Sequence, residues 1–288
     1  MKTSPTRNRS ALGVFPLKLR SALASAAMVA LCGAAPALAG PLLGSDLASF
    51  AVLGAAGVTN VPTSTIGGNL GSAPNASVGG GYVFTSGSLQ PNTGIAQQAQ
   101  LDLDAAILAV NGIGPGLTIG ADLTGTILPG IYTVPAGPTN LSGALILDGG
   151  GSNTAQWYFL FPSTLITDST SSVSVVNVGD GSGVGIYWSV GSAATLNGNS
   201  FAGNVLAHDL ISSDGDLTLS CGRLLSATAQ VTLIHDTISL GCIGFEKSGG
   251  FDQGADIGSG GHAVPEPATL ALFGLGLAGI ALARRRRN

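Results

Sequence analysis

The sequence predicts a mostly β fold, a β-solenoid with one long α-helix packed alongside, on three observations. Residues 185–240 repeat short alternating runs, Ala194-Thr195-Leu196, Ile211-Ser212-Ser213 and Val231-Thr232-Leu233, at about one every 17 to 20 residues, with Gly, Asn, Asp and Ser between them. A strand-and-turn unit returning at that period winds into coils that stack on one another. A single segment, 94–112, breaks into helical periodicity. The chain holds 45 glycines, yet Val, Ile and Leu recur at strand-like intervals, so a packed core is available.

Each element follows in order. Lys2, Arg7, Arg9, Lys18 and Arg20 precede an apolar stretch at 22–35 and then Ala37-Leu38-Ala39. That is the form of a secretory signal peptide, residues 1–39, cut after Ala39. Residues 40–246 make one domain of ordinary size. DLASFAVL (46–53) opens it, followed by strands at 57–60, 63–70 and 82–85, each bounded by Gly, Pro or Asn. In 94–112, Ile95, Ala99, Leu103, Ala106 and Val110 lie 4, 4, 3 and 4 apart, one helical face that Leu101 and Leu108 widen. Asn92 or Thr93 suits the N-cap and Gly112 the C-terminal end. Strands resume at 117–119, 123–127, 130–134, 145–147, 157–161, 164–167 and 172–178 before the repeats. Residues 247–263 are polar and Gly-rich and read as a flexible spacer. The end of the chain has three parts. Val264, Pro265, Glu266 and Pro267 come first, then an apolar run at 268–283, then Arg284, Arg285, Arg286 and Arg287. Such a helix rises about 24 Å, short for a bilayer core of about 30 Å. The arginines can snorkel and stay cytoplasmic, so membrane contact is expected only through this tail.

Once both ends are set aside, residues 40–263 keep two basic residues, Arg223 and Lys247, against fourteen acidic ones, a net charge of −12. A nucleic-acid partner is not expected, because phosphate neutralisation needs a basic surface. An anionic membrane surface is disfavoured for the same reason. Cys221 and Cys242 remain as an even pair in an exported chain, 21 residues or about one coil apart, which suits a disulfide between neighbouring coils. No Cys or His stands at short ligand spacing to either, so a metal site is not expected; no cofactor is expected.

The order Pro-Glu-Pro, apolar run and Arg cluster resembles the PEP-CTERM sorting tail of exopolysaccharide-producing Gram-negative bacteria. The resemblance implies recognition by an exosortase and removal of the tail. The protein would then be left outside the cell or at its surface after transient anchoring. Six further segments resemble the microbial ice-binding protein family: LGSDLASFAVLGAAGVTN (43–60), TSTIGGNLG (63–71), LTGTILPGIYTV (123–134), WYFLFPSTLITDSTSSV (157–173), IYWSVGSAATLNGNSFAGNVLA (186–207) and VTLIHDTISL (231–240). They keep the family's order and cover essentially the mature domain. The implied fold is an irregular right-handed β-helix with a long helix beside it. The implied partner is ice or an ordered water surface.

Alternate residues on a strand lie about 6.6–6.8 Å apart and stacked strands about 4.7–4.9 Å apart, so a Thr ladder forms a grid with spacings near those of ice. β-Branched Thr is stiff, which partly pre-orders that grid. If Leu196, Ile211 and Leu233 point inward, Thr195, Ser212 and Thr232 point outward from equivalent strands. Thr65 and Thr167 occupy similar places in TSTIG and TLITD. These five residues are the expected ice-binding face. The charged Asp214 and Asp216 beside it suggest a modest binder. The alternative is a surface or exopolysaccharide-matrix adhesion protein without ice activity. An enzyme is not expected: one Arg and one Lys adjoin no acid pair, and His208-Asp209 and His235-Asp236 read as turns at strand ends. The glycine pattern at Gly274, Gly276 and Gly279 falls inside the apolar tail and is no dinucleotide loop. Trp157, Tyr158, Tyr187 and Trp188 sit in strongly apolar strands and are expected in the core.

Overall fold

A computed structural model describes residues 42–254. The expected signal peptide (1–39), the sorting tail from Val264 and most of the spacer lie outside the described residues. All the strand ladders are parallel, in a 15-stranded and a 6-stranded sheet. Each coil makes three sides in a fixed order. In the coil that starts at Gly57–Asn60, that strand forms the third face, Ser64–Gly67 the second face and Asn69–Ser72 the helix face.

The larger sheet covers two of these sides because its long strands bend. Ser200–Ala207 and Thr218–Ser226 run in register to Ala202↔Ser220, shift, and resume at Gly203↔Gly222. Gly203 has φ +95° and Cys221, the extra residue of the bulge, has φ +61°. A bulge turns a strand sharply. A Cβ on Gly222 would sit 2.0 Å from the Gly203 carbonyl oxygen, so only glycine fits where the two corners stack.

The interior holds apolar residues of successive rungs, including Val58, Ile66, Leu145, Leu196, Ile211, Val231 and Ile238. Tyr132, Phe159, Trp188 and Phe201 stack through it with ring centroids 5.6, 4.3 and 4.8 Å apart. The Trp188 indole N–H donates to the Ala202 carbonyl at 2.9 Å, so its one polar atom is satisfied in the core. Trp157, Tyr158 and Tyr187 are buried as well.

The long helix spans Gly94–Gly112, the expected limits, and Thr93 caps it by accepting the Ala96 N–H. Ala96, Ala99, Leu103, Ala106 and Val110 pack on Phe50, Leu53, Tyr158, Tyr187, Leu206 and Leu225 of the helix face. Two details differ from the sequence reading. Leu101 and Leu108 are 62% and 76% exposed and do not widen the buried stripe. Gly112 does not reverse the chain; Ile113 is still helical and Gly114 takes φ +104°. DLASFAVL also divides, into a helical turn Ser45–Ala48 and the strand Phe50–Gly54.

Coil order does not follow chain order. The first coils stack on the last: Gly57–Asn60 pairs with Gln230–Leu233, Ser64–Gly67 with Thr237–Ser239, and Phe50–Gly54 with Thr218–Ser226. The chain therefore starts near one end and uses the long helix, about 28 Å, to travel along the stack. It then coils back until the last rungs close on the first.

The body also extends beyond the expected boundary at 246. Residues 241–254 form a strap over the corner between the second and helix faces, and Phe251 is 1% exposed. The Gly-rich composition of 247–254 is thus packed chain, not spacer. Close approach requires small residues there: a Cβ on Gly250 would meet Arg223 Nη1 at 2.9 Å.

Candidate functional site

On the 6-stranded third face the short strands turn the residue between two buried neighbours outward by period two, and on Gln230–Leu233 the exposed Gln230 shares that side with Thr232. Thr195 pairs with Ser212, Ser212 with Thr232, and Thr232 with Thr59, so four hydroxyl side chains stand in adjacent rungs. Their inward neighbours Ala194, Leu196, Ile211, Val231, Leu233 and Val58 are buried. Ile166 continues the row at one end and Gly79 at the other. The Thr59 hydroxyl donates to Thr232 Oγ1 at 3.3 Å, and Gln230 Nε2 donates to the same oxygen at 3.4 Å. These bonds add to the rotamer stiffness of Thr and hold the row in place.

Of the five residues expected on this face, the structure brings three together. Thr167 is 1% exposed. Its hydroxyl accepts the Asn197 and Gly198 N–H groups at 2.8 and 3.2 Å, so it caps a buried turn. Thr65 is outward, but on the second face, between Thr237 and Val83. Thr59 was missed because its rung partner lies 173 residues away, beyond any repeat visible along the chain. The short run GVTN, opened by Gly57 and followed by Pro62, is its local signal.

The second face carries hydroxyls too. Ser172, Ser200, Thr218, Thr237 and Thr65 form one row. Ser220 and Ser239 belong to a parallel one. Over these rows, however, Ile243 and Glu246 of the strap wall a trough of about 680 Å³ whose floor includes Thr218, Ser220, Thr237 and Thr65. That part of the second face is concave, whereas the third face carries no strap residue over its row.

The corner after the third-face strand Gln230–Leu233 is held by one acid. Asp236 is buried, accepting from the Ser213 hydroxyl and the Leu217 and Ile234 N–H groups. Burial raises its pKa against the pull of those hydrogen bonds. His235 turns away from it and pairs with Asp216 at 2.6 Å, while His208 pairs with Asp209 at 2.8 Å. Both pairs are exposed, at turns. Cys221 and Cys242 are joined, their Cα atoms 4.5 Å apart. Among the described residues no three His, Cys, Asp or Glu side chains gather to hold a metal ion.

Comparison with known proteins agrees with this architecture. Residues 52–239 match the model of a family described as ice-binding-like, and residues 263–287 match the PEP-CTERM protein-sorting motif. An ice-binding protein of Nostoc sp. (strain HG1) is 32% identical over 250 residues, 83% of this chain and 85% of that one. The crystal structure of an ice-binding protein from the Antarctic ascomycete Antarctomyces psychrotrophicus aligns with TM-score 0.57 and 29% identity. The alignment covers 68% of this chain and 96% of that chain. An ice-binding protein from an Antarctic biological consortium aligns with TM-score 0.60 and 28% identity, over 70% and 92% of the two chains.

Proposed function

This chain belongs to the ice-binding-like family and carries a PEP-CTERM sorting motif, and from that premise we propose that it is an exported protein that adsorbs to ice through its third face. The observation that carries the reading is the in-register row Thr195, Ser212, Thr232 and Thr59 on short parallel strands. Methyl and hydroxyl groups held at the strand spacing of about 4.7–4.9 Å order water into an ice-like layer. Adsorption then costs little entropy, because the side chains are fixed before ice arrives. The mechanism is surface complementarity with no catalytic step and no cofactor.

The acidic mature stretch supports export as a soluble body, and the tail motif supports exosortase processing after transient anchoring in a Gram-negative envelope. A second reading, adhesion to exopolysaccharide, is favoured by one observation. The trough on the second face offers hydroxyls, the Glu246 carboxylate and the 91% exposed Ile243, which suit an extended polyhydroxylated strand.

The test is a single ice crystal grown in dilute protein. Wild type facets the crystal and shows thermal hysteresis. Thr232→Tyr loses both while circular dichroism shows an unchanged fold, because the ring lifts the face off a planar lattice. Its stability falls by about 0.5–1.5 kcal/mol, because Thr232 is half-buried and its oxygen accepts from Thr59 and Gln230. Loss with Thr218→Tyr and not with Thr232→Tyr moves the site to the second face. A round, unfaceted crystal with wild type sinks ice binding and leaves the matrix reading.

A further inference from the structure

The strap fixes where the chain leaves the solenoid. Its partners are the residues just past the bend of the long strands and on the neighbouring helix-face strand. Arg223 donates to the carbonyls of Gly249 and Gly250 at 2.8 and 3.1 Å and to Asp252 Oδ2 at 3.3 Å. Asn204 Nδ2 and the Ile186 N–H donate to the Phe251 carbonyl at 2.8 and 3.0 Å. The Tyr187 hydroxyl donates to the carbonyls of Asp252 and Gln253. Farther back, Cys242 is bonded to Cys221 at the bend itself.

The final described residue, Gly254, rests against Tyr158, Tyr187 and Leu42; a Cβ built on it would lie 3.4 Å from Leu42 Cβ. The first and last described residues therefore meet at one place, on the helix side of the corner. Each coil runs third face, second face, helix face. In a three-sided coil, the corner between the second and helix faces is the edge opposite the third face. The residues that follow Gly254 start from the edge farthest from Thr195, Ser212, Thr232 and Thr59.

We infer that the protein binds ice while held by its C-terminal end, so that it fastens whatever bears that end to an ice surface. The inference rests on the third-face reading above and adds a second attachment to it. A body tethered at the edge opposite the hydroxyl row leaves that row facing outward. A tether at any point on the third face would bring the bearer between the row and the ice. The carrier is a cell-surface polymer: as the sorting tail is cut, the peptide C–N bond breaks, the tail leaves with the nitrogen as its new amine, and the acyl carbon passes to a hydroxyl of the polymer; the ligand is the crystal.

The experiment places the mature chain, with a biotinylated peptide in place of the sorting tail, on streptavidin beads facing a slowly growing ice front. A second set of beads carries the same chain attached through a biotinylated Ser77→Cys, exposed at the start of the third-face strand Val78–Gly79 and outside the hydroxyl row. Beads held by the C-terminal end are expected to be captured by the ice, and beads held at position 77 to be pushed ahead of it. Equal capture of both sets overturns the inference, since orientation would then be immaterial. Rejection of the C-terminal set, by a preparation that facets ice when free, overturns it alone. A free protein that leaves ice unfaceted overturns it together with the reading beneath it.

Discussion

At the scale of single residues, outward and inward hydroxyls in this fold do different work. Thr232 faces solvent in a row, whereas Thr167 is sealed in a turn and accepts two backbone N–H groups. Thr167→Val removes that acceptor and leaves two N–H groups with no partner from it. It is expected to cost about 1–3 kcal/mol in denaturant unfolding while the folded variant still facets ice. Asp236 gives a pH signature. Its folded pKa is raised above the ordinary 3.8 chiefly by burial, with the nearby Asp216 charge adding to the rise. A raised carboxyl stabilises the fold in its protonated form, fully at low pH, and that contribution is lost as pH rises through the folded value. Thermal melts of wild type and Asp236→Asn should therefore show a stability difference that shifts against wild type as pH climbs above 3.8. A pH-independent difference would contradict the assignment.

At the scale of elements, the strap has the most to lose. Arg223 is 1% exposed and gathers Ala48, Asn204, Gly249, Gly250 and Asp252 around one guanidinium. Burial alone lowers its pKa, and the Asp252 carboxylate opposes the shift. Arg223→Met leaves Asp252 and the carbonyls without their donor, at a cost of about 3–5 kcal/mol in chemical denaturation. The disulfide acts on the same element by closing a loop of 21 residues. Its reduction is expected to cost about 3 kcal/mol and to raise hydrogen exchange first in residues 241–254. Exchange that rises uniformly along the chain would show that the strap is not a separate unit. The helix is a simpler case. Its buried stripe was legible from spacing, but Leu101 and Leu108 point to solvent because the helix rests on a nearly flat sheet that contacts only a narrow stripe.

At the scale of the whole molecule, the solenoid is a stack whose chain order and stacking order differ. Export should leave it shortened at both ends. Mass spectrometry of the protein from its native host is expected to find residues 1–39 absent and the C-terminus processed near Val264–Pro267, within the segment that matches the sorting motif. An intact Arg cluster on surface-exposed protein would end the sorting proposal. Leu42 and Gly254, the first and last described residues, meet at one edge, away from the third face.

What the sequence determined by itself was local in origin. The 17-to-20-residue recurrence, period-two alternation and one helical stripe are enough to state a β-solenoid with a single helix, since neighbouring coils are also neighbours in the chain. The outward row Thr195, Ser212 and Thr232 was legible for the same reason. Tertiary structure alone decided the rest. Thr59 joins the row and Thr65 leaves it because the first coils stack on the last, a pairing that no repeat length encodes. Thr167 turns inward because a strand of two residues, Leu165–Ile166, ends before it and hands it to a turn. The Gly-rich stretch 247–254 becomes packed chain because a buried Arg needs carbonyls close by, and only small residues let the backbone approach it. Periodicity reports which way a side chain points relative to its neighbours in the chain; which coil it meets, and what covers it, depends on where the chain returns.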